Sequence, residues 1–271
     1  MTSPPTSPRV AVITGAARGI GAAVAVRLAA DGAIVVLVDR CADDPALPYP
    51  LATEAELHAT ADRCADAGAA GVAALVADVR DQPALDAVVA GTVEQFGQLD
   101  IAIAAAGAIA GGPSGWETTD GVWDSMIDIN LTGVWHLTRA AIPAMLAGPG
   151  AATDRRFVAI ASAASIHGLP QLAAYTAAKH GVLGLVRALA AETATTGPTV
   201  NAVCPGSTST PMLTASAEVY GLHSPDEFAR HQAMGRLIEP VEVAEAVAFL
   251  CSRAASAITG ATLPVDAGFT A

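Results

Sequence analysis

The sequence predicts a single α/β domain on a doubly wound parallel sheet of about seven strands, with helices on both faces. Three observations carry this. Short β-branched runs alternate with longer Ala- and Leu-rich segments along the whole chain, the pattern of strand–helix–strand units. A glycine-rich turn, "TGAARGIG" (14–21), follows the first such run directly and opens the first helical segment, as in sheets whose ligands sit beyond the carboxyl ends of parallel strands. The 271 residues, 52% hydrophobic and 15% charged, suffice for a large core and argue against disorder.

The elements follow in order. "RVAVIT" (9–14) reads as the first strand and 20–31 as the first helix. "AIVVLV" (33–38) is the second strand. The next helix, 53–67, begins only after "DRCADDPALPYPLAT" (39–53), whose three prolines and three aspartates make a poor helix or strand. Thr53 can cap that helix, with Glu56 three residues on. Further strands are expected at 71–77, 99–106, 156–162, 198–204 and 261–266, with helices at 82–97, 120–147, 173–194 and 240–253. The segment 207–236 is richer in Ser, Thr, His and Met and breaks the alternation. It reads as a substrate-side loop with one or two short helices, one capped by "SPDE" through Ser224, Pro225 and Glu227. No linker or repeat divides residues 9–271, and residues 1–8 read as a loose tail.

A net charge of -12 without a basic cluster argues against nucleic acid or an anionic membrane as the main partner. The apolar runs are too short to span a bilayer. The four cysteines, Cys41, Cys64, Cys204 and Cys251, form no CxxC pair, and "MTSPPTSPR" has no signal-peptide core. A reduced, cytoplasmic protein with small apolar cysteines is the expectation. His58, His136, His180, His223 and His231 have no zinc-like spacing, so no metal is expected. His167 lies between two candidate catalytic residues and reads as structural or solvated, with a place at the substrate mouth as the alternative.

In "TGAARGIG" Gly15 allows the tight turn, Gly19 lets backbone approach a pyrophosphate, and Gly21 lets helix and strand pack closely. The G-x-x-x-G-x-G spacing is wider at the front than the familiar dinucleotide fingerprint. Asp39 ends the second strand, where a carboxylate accepts the adenosine ribose hydroxyls and repels a 2′-phosphate, favouring NAD over NADP. Arg18 and Arg40 complicate that preference, since either can reach a 2′-phosphate. In "YTAAK", Tyr175 and Lys179 share a helix face, so the ammonium can draw the phenol down from its ordinary value of about 10 toward working pH. Ser162, at a strand end thirteen residues earlier, supplies a hydroxyl for a substrate oxygen. Asn130 in "NLTG" reads either as a satisfied polar residue or as a carbonyl or amide holding a water beside the lysine.

From Arg9 to the C-terminus the chain resembles the short-chain dehydrogenase/reductase family, through "TGAARGIG", "DV" (78–79), "NLTG", Ser162 with "YTAAK", "PGSTSTPM" (205–212) and "ITGATLPVDAGF". The resemblance implies a Rossmann-type sheet and a catalytic tetrad of Asn130, Ser162, Tyr175 and Lys179. It implies that NAD is held by Gly15, Arg18, Gly19, Ile20, Gly21, Asp39, Arg40, Asp78 and Val79, by the backbone of Ala105, Ala106 and Gly107, by Tyr175 and Lys179, and by Pro205, Gly206, Thr208 and Thr210. The chain departs from the family in having "AAAG" for the usual "NNAG", so side-chain amides are missing at Ala104 and Ala105; Ser165 also replaces a common glycine. The reaction implied is alcohol–carbonyl interconversion. Walls of 108–118, 163–172 and 207–236, Trp116 included, suggest an apolar secondary alcohol.

More narrowly, "DRCADDPALPYPLAT" with "FARHQAMGRL" resembles the mycofactocin-coupled branch of that family. That branch implies a nicotinoprotein whose NAD stays bound and is recycled by a mycofactocin redox carrier. The loop at 40–53 would then fold over the adenosine half of NAD. An ordinary dehydrogenase that exchanges NAD freely, and a non-catalytic dinucleotide sensor, are the competing readings. Family members are commonly homotetramers, with 120–147 and 173–194 at the dimer core; these segments carry Ala and Leu on more than one face.

Overall fold

The computed structural model describes residues 7–271; most of the expected tail, residues 1–6, lies outside the described residues. Seven strands, β1 (Val10–Thr14), β2 (Ile34–Asp39), β3 (Gly71–Val76), β4 (Ile101–Ala104), β5 (Arg156–Ile160), β6 (Thr199–Pro205) and β7 (Thr262–Val265), form one parallel sheet in the order β3-β2-β1-β4-β5-β6-β7. The order reverses between β1 and β4, which opens the crevice beyond their carboxyl ends. The helices are α1 (Gly19–Ala30), α2 (Glu54–Asp66), α3 (Gln82–Phe96), α4 (Asp120–Ile127), α5 (Gly133–Ala147), α6 (Ala173–Thr193), α7 (Pro211–Val219) and α8 (Pro240–Cys251).

Strand alternation sorts the core into two layers. Ala11, Ile13, Val35 and Leu37 pack with Val24 and Leu28 of α1, Leu57 of α2 and Val243 and Val247 of α8. Val12, Val36 and Val38 face the other way, onto Leu85 of α3, Leu137 of α5 and Val182 of α6. The register Val12↔Val36 and Val12↔Ala102 keeps each set on its own face. A fully buried Ile13 or Leu37 contributes about 1.5–3 kcal/mol relative to exposure.

Both expected caps form: Thr53 with Glu56 on α2, and Ser224 with Glu227 on a 3-10 helix over Pro225–His231. That helix and α7 are the two short helices of the 207–236 loop. Two element readings are corrected. The segment 120–147 is not one helix: a π turn over Asp128–Thr132 divides α4 from α5 and contains Asn130. A wider turn of this kind displaces the ladder by one residue and commonly marks functional sites. Strand β4 stops at Ala104, because Ala105 and Ala106 direct their amides to the Thr14 side chain instead of a neighbouring strand. Among the described residues, no helix is long and apolar enough to cross a membrane.

Candidate active site

The glycine-rich turn builds the middle of the site. Gly15 has φ +68, and a Cβ there would lie 2.6 Å from the Ala106 backbone. A Cβ on Gly21 would lie 2.1 Å from the Gly15 carbonyl oxygen, so helix and turn touch backbone to backbone. No side chain caps α1, whose first amides therefore remain available at the crevice. The missing amides of "AAAG" are compensated by one hydroxyl: Thr14 Oγ1 donates to the Ile103 carbonyl at 3.3 Å and accepts the Ala105 and Ala106 amides at 3.2 and 3.4 Å.

At one end lie the acidic groups. Asp39 accepts the Ala17 amide at 3.0 Å, tying β2 to the glycine turn. The 40–53 loop then crosses the crevice. Arg18 donates to the Pro50 carbonyl at 2.8 Å, Asp43 accepts the Leu51 amide at 2.8 Å, and Tyr49 Oη accepts the Ile109 amide at 2.8 Å. Leu47, Tyr49 and Leu51 pack in one apolar cluster with Ile109, Tyr175 and Met212. Buried Asp44 takes Arg40 at 2.6 Å and Arg80 at 2.8 Å, and Asp78 takes the same two arginines at 3.2 and 2.7 Å. Burial pushes the Asp44 carboxyl up, but the Ala46 amide and the two guanidiniums pull harder, leaving it below the usual carboxylate range. Arg18 and Arg40 are thus not the free cations the sequence suggested: one serves the loop backbone and the other is ion-paired.

At the other end Ser162 follows β5, and Tyr175 and Lys179 lie one turn apart on α6. Ser162 Oγ accepts the Ala164 amide at 3.1 Å, and Ser165 Oγ accepts the Ser162 amide at 3.1 Å, so the departure at 165 helps to orient the serine. Lys179 Nζ donates to the Ile160 carbonyl at 2.9 Å and lies 5.8 Å from the centre of the Tyr175 ring. Burial pushes the Tyr175 phenol up to about 12, against a hydrogen bond with Ser162 that lowers it, and drives the Lys179 ammonium down to about 8. The expected depression of the tyrosine is corrected: in the protein alone, desolvation raises the phenol.

Asn130 sits beneath these groups, fully buried. Its side-chain nitrogen donates to the Ala108 and Met126 carbonyls, both at 3.0 Å, and its oxygen accepts the Ala108 amide at 3.2 Å. Both amide hydrogens are engaged, so the side chain is a clamp on the β4 exit.

These groups share one cleft of about 740 Å³, within the range of ligand pockets. Of the sequence-predicted site residues, all line it except Asn130. At Gly107, where backbone lines the cleft, a Cβ would stand 3.1 Å from Asn130 Oδ1. The wall from 108 to 118 contributes only Ala108 and Ile109, and Trp116 is 89% exposed and outside the cleft.

The family described as enoyl-(acyl carrier protein) reductase matches residues 15–270. The chain is a short-chain dehydrogenase/reductase. It is 43% identical to an uncharacterised oxidoreductase of Mycobacterium tuberculosis, over 99% of this chain and 98% of that one. It is 42% identical to (-)-trans-carveol dehydrogenase of Rhodococcus erythropolis, over 97% of each chain. A crystal structure of carveol dehydrogenase from Mycobacterium avium in complex with NAD superposes with a TM-score of 0.91 at 37% identity, over 97% of this chain and 98% of that one.

As a short-chain dehydrogenase/reductase the chain is an oxidoreductase, and its cleft holds residues that motif reading missed. Tyr49, Leu51, Arg80, Met212, Arg230, His231 and Phe269 line it beside the expected groups. His167 takes the place its alternative reading gave it, at the cleft wall and edge-on to Phe269 with ring centres 5.7 Å apart.

Proposed function

We propose that this enzyme interconverts an apolar secondary alcohol and its carbonyl, with NAD lying along the cleft. The observation that carries the reading is the convergence of Ser162, Tyr175 and Lys179 at one end of a groove whose other end presents Asp39. The carveol dehydrogenases among the relatives support an alcohol as substrate, and the Leu169, Leu172, Met212, Leu213, Leu222 and Phe228 walls support an apolar one.

When bound, NAD supplies the two-electron hydride acceptor. Asp39, Asp78 and Val79 would hold its adenosine, Gly15, Arg18, Gly19, Ile20 and Gly21 its pyrophosphate, the backbone of Ala105 to Gly107 and Lys179 its nicotinamide ribose, and Pro205 to Thr210 its nicotinamide end. Ser162 hydrogen-bonds the substrate oxygen. Tyr175 takes the hydroxyl proton, and charged Lys179 stabilises the phenolate that burial alone disfavours. The Asn130 backbone carbonyl holds a water that returns the proton to solvent, while its side chain fixes the β4 exit. Tyr175→Phe should bind NAD as wild type does and lose turnover by about 10²-fold or more; retained alcohol oxidation would overturn the assignment.

The finer reading is a nicotinoprotein: NAD is held by the 40–53 loop and recycled in place by a mycofactocin carrier. The loop's attachments on both sides of the cleft support it, through Pro50 to Arg18 and Tyr49 to Ile109. NAD released by denaturation but not by dialysis is the expected result; steady turnover with free NAD as sole acceptor would favour the exchanging alternative. A homotetramer is supported by large apolar side chains left exposed on α4 and α5, namely Trp123, Trp135 and Leu146.

A further inference from the structure

Three arginines, Arg18, Arg40 and Arg80, line the adenosine end of the cleft beside Asp39. Such a set would ordinarily invite a phosphate, because planar guanidiniums bind phosphate oxygens in pairs. None is free. Arg18 is drawn onto the Pro50 carbonyl at 2.8 Å and lies 3.9 Å from Glu56. Arg40 and Arg80 both donate to a single oxygen, Asp44 Oδ2, at 2.6 and 2.8 Å, while the other oxygen accepts the Ala46 amide at 2.9 Å. Asp44 is only 5% exposed. Its carboxylate stands between two guanidiniums, where an anion is held, and it arrives covalently tethered, five residues beyond Asp39.

We propose that Asp44 is a determinant of dinucleotide specificity: it is a built-in anion that occupies the Arg40–Arg80 pair and so denies it to the 2′-phosphate of NADP. Asp39 repels that phosphate; Asp44 removes the cations that would compensate the repulsion. The remaining contacts of the two arginines, to Asp78 at 3.2 and 2.7 Å, set two carboxylates against the two guanidiniums and bring the charge of this group to zero. To bind NADP the protein must displace a desolvated, doubly paired carboxylate, an exchange that leaves buried charge uncompensated. The inference rests on the reading that a dinucleotide lies in the cleft with its adenosine at Asp39.

Thermal-shift titrations with NAD and with NADP, on wild type, Asp39→Ser, Asp44→Asn and the double variant, test it. Asp39→Ser alone should still prefer NAD. Adding Asp44→Asn should move the NADP-to-NAD affinity ratio toward NADP by about tenfold or more, and Arg80→Gln in the double variant should reverse that gain. If the double variant melts early because its arginines are left facing each other, NADP should raise its midpoint more than NAD does. The inference is overturned if Asp39→Ser by itself switches preference, or if Asp44→Asn weakens both dinucleotides equally, which would make Asp44 a fastener of the loop only. Failure of wild type to bind either dinucleotide would instead remove the underlying functional reading, and this inference with it.

Discussion

Tyr49 of the irregular loop accepts the backbone amide of Ile109, just beyond β4, at 2.8 Å. The bond joins the two banks of the cleft: one partner leaves β2, the other follows the glycine beside Lys179. If NAD lies beneath this span, as proposed, the loop would have to lift before it leaves. Tyr49→Phe keeps the ring in its apolar cluster and deletes the acceptor, at a cost of about 1 kcal/mol. NAD release, followed after trapping with excess labelled NAD, should quicken roughly fivefold. Deleting residues 43–50 should quicken it more, and an unchanged off-rate in the folded deletion variant would reduce the loop to a surface insertion.

Gly21 touches the Gly15 carbonyl so closely that a Cβ would stand 2.1 Å from its oxygen. The obstacle is backbone on both sides, so α1 must shift away from the turn. Gly21→Ala should destabilise the protein by about 1–3 kcal/mol in urea unfolding, and should weaken dinucleotide binding as well because α1 carries the phosphate-facing amides. A variant of wild-type stability would show that α1 moves freely.

The Asn130 side chain satisfies three backbone groups in a wholly buried place. Asn130→Ala removes all three of these hydrogen bonds and should cost about 2–4 kcal/mol, read as a lowered urea midpoint. Asn130→Asp keeps the acceptor for the Ala108 amide but sets a carboxylate oxygen against two carbonyls; it should be no better than alanine above the ordinary carboxylate range. Wild-type stability in either variant would mean that the β4 exit is held by other contacts.

Lys179 and Tyr175 imprint opposite slopes on alkaline stability. Burial lowers the lysine from 10.5 to about 8, so between these values the unfolded chain binds a proton that the fold has released, and stability rises with pH. Burial raises the tyrosine from 10.0 to about 12; over that window the fold keeps a proton the unfolded chain loses, and stability falls. The melting temperature of wild type relative to Lys179→Met should therefore climb from pH 8 to pH 10. A flat difference would mean that the ammonium is not desolvated.

The sheet, its seven strands and the helices on both faces were legible in the sequence because each depends on local periodicity and on which faces are apolar along short segments. The line of site residues was legible for a related reason: glycines in a turn, a carboxylate at a strand end, and a tyrosine and lysine one helical turn apart are constrained by local geometry. Tertiary structure decided what those groups touch. It divided the 120–147 helix by a π turn that holds Asn130, whose side chain meets Ala108 across 22 residues. It let Thr14 support Ala105 and Ala106 in place of absent amides, and it excluded Trp116 from the cleft. It paired Arg40 and Arg80 through Asp44, across 36 residues in the second case. Such contacts join segments far apart in the chain, and the spacing of residues along one segment carries no information about them.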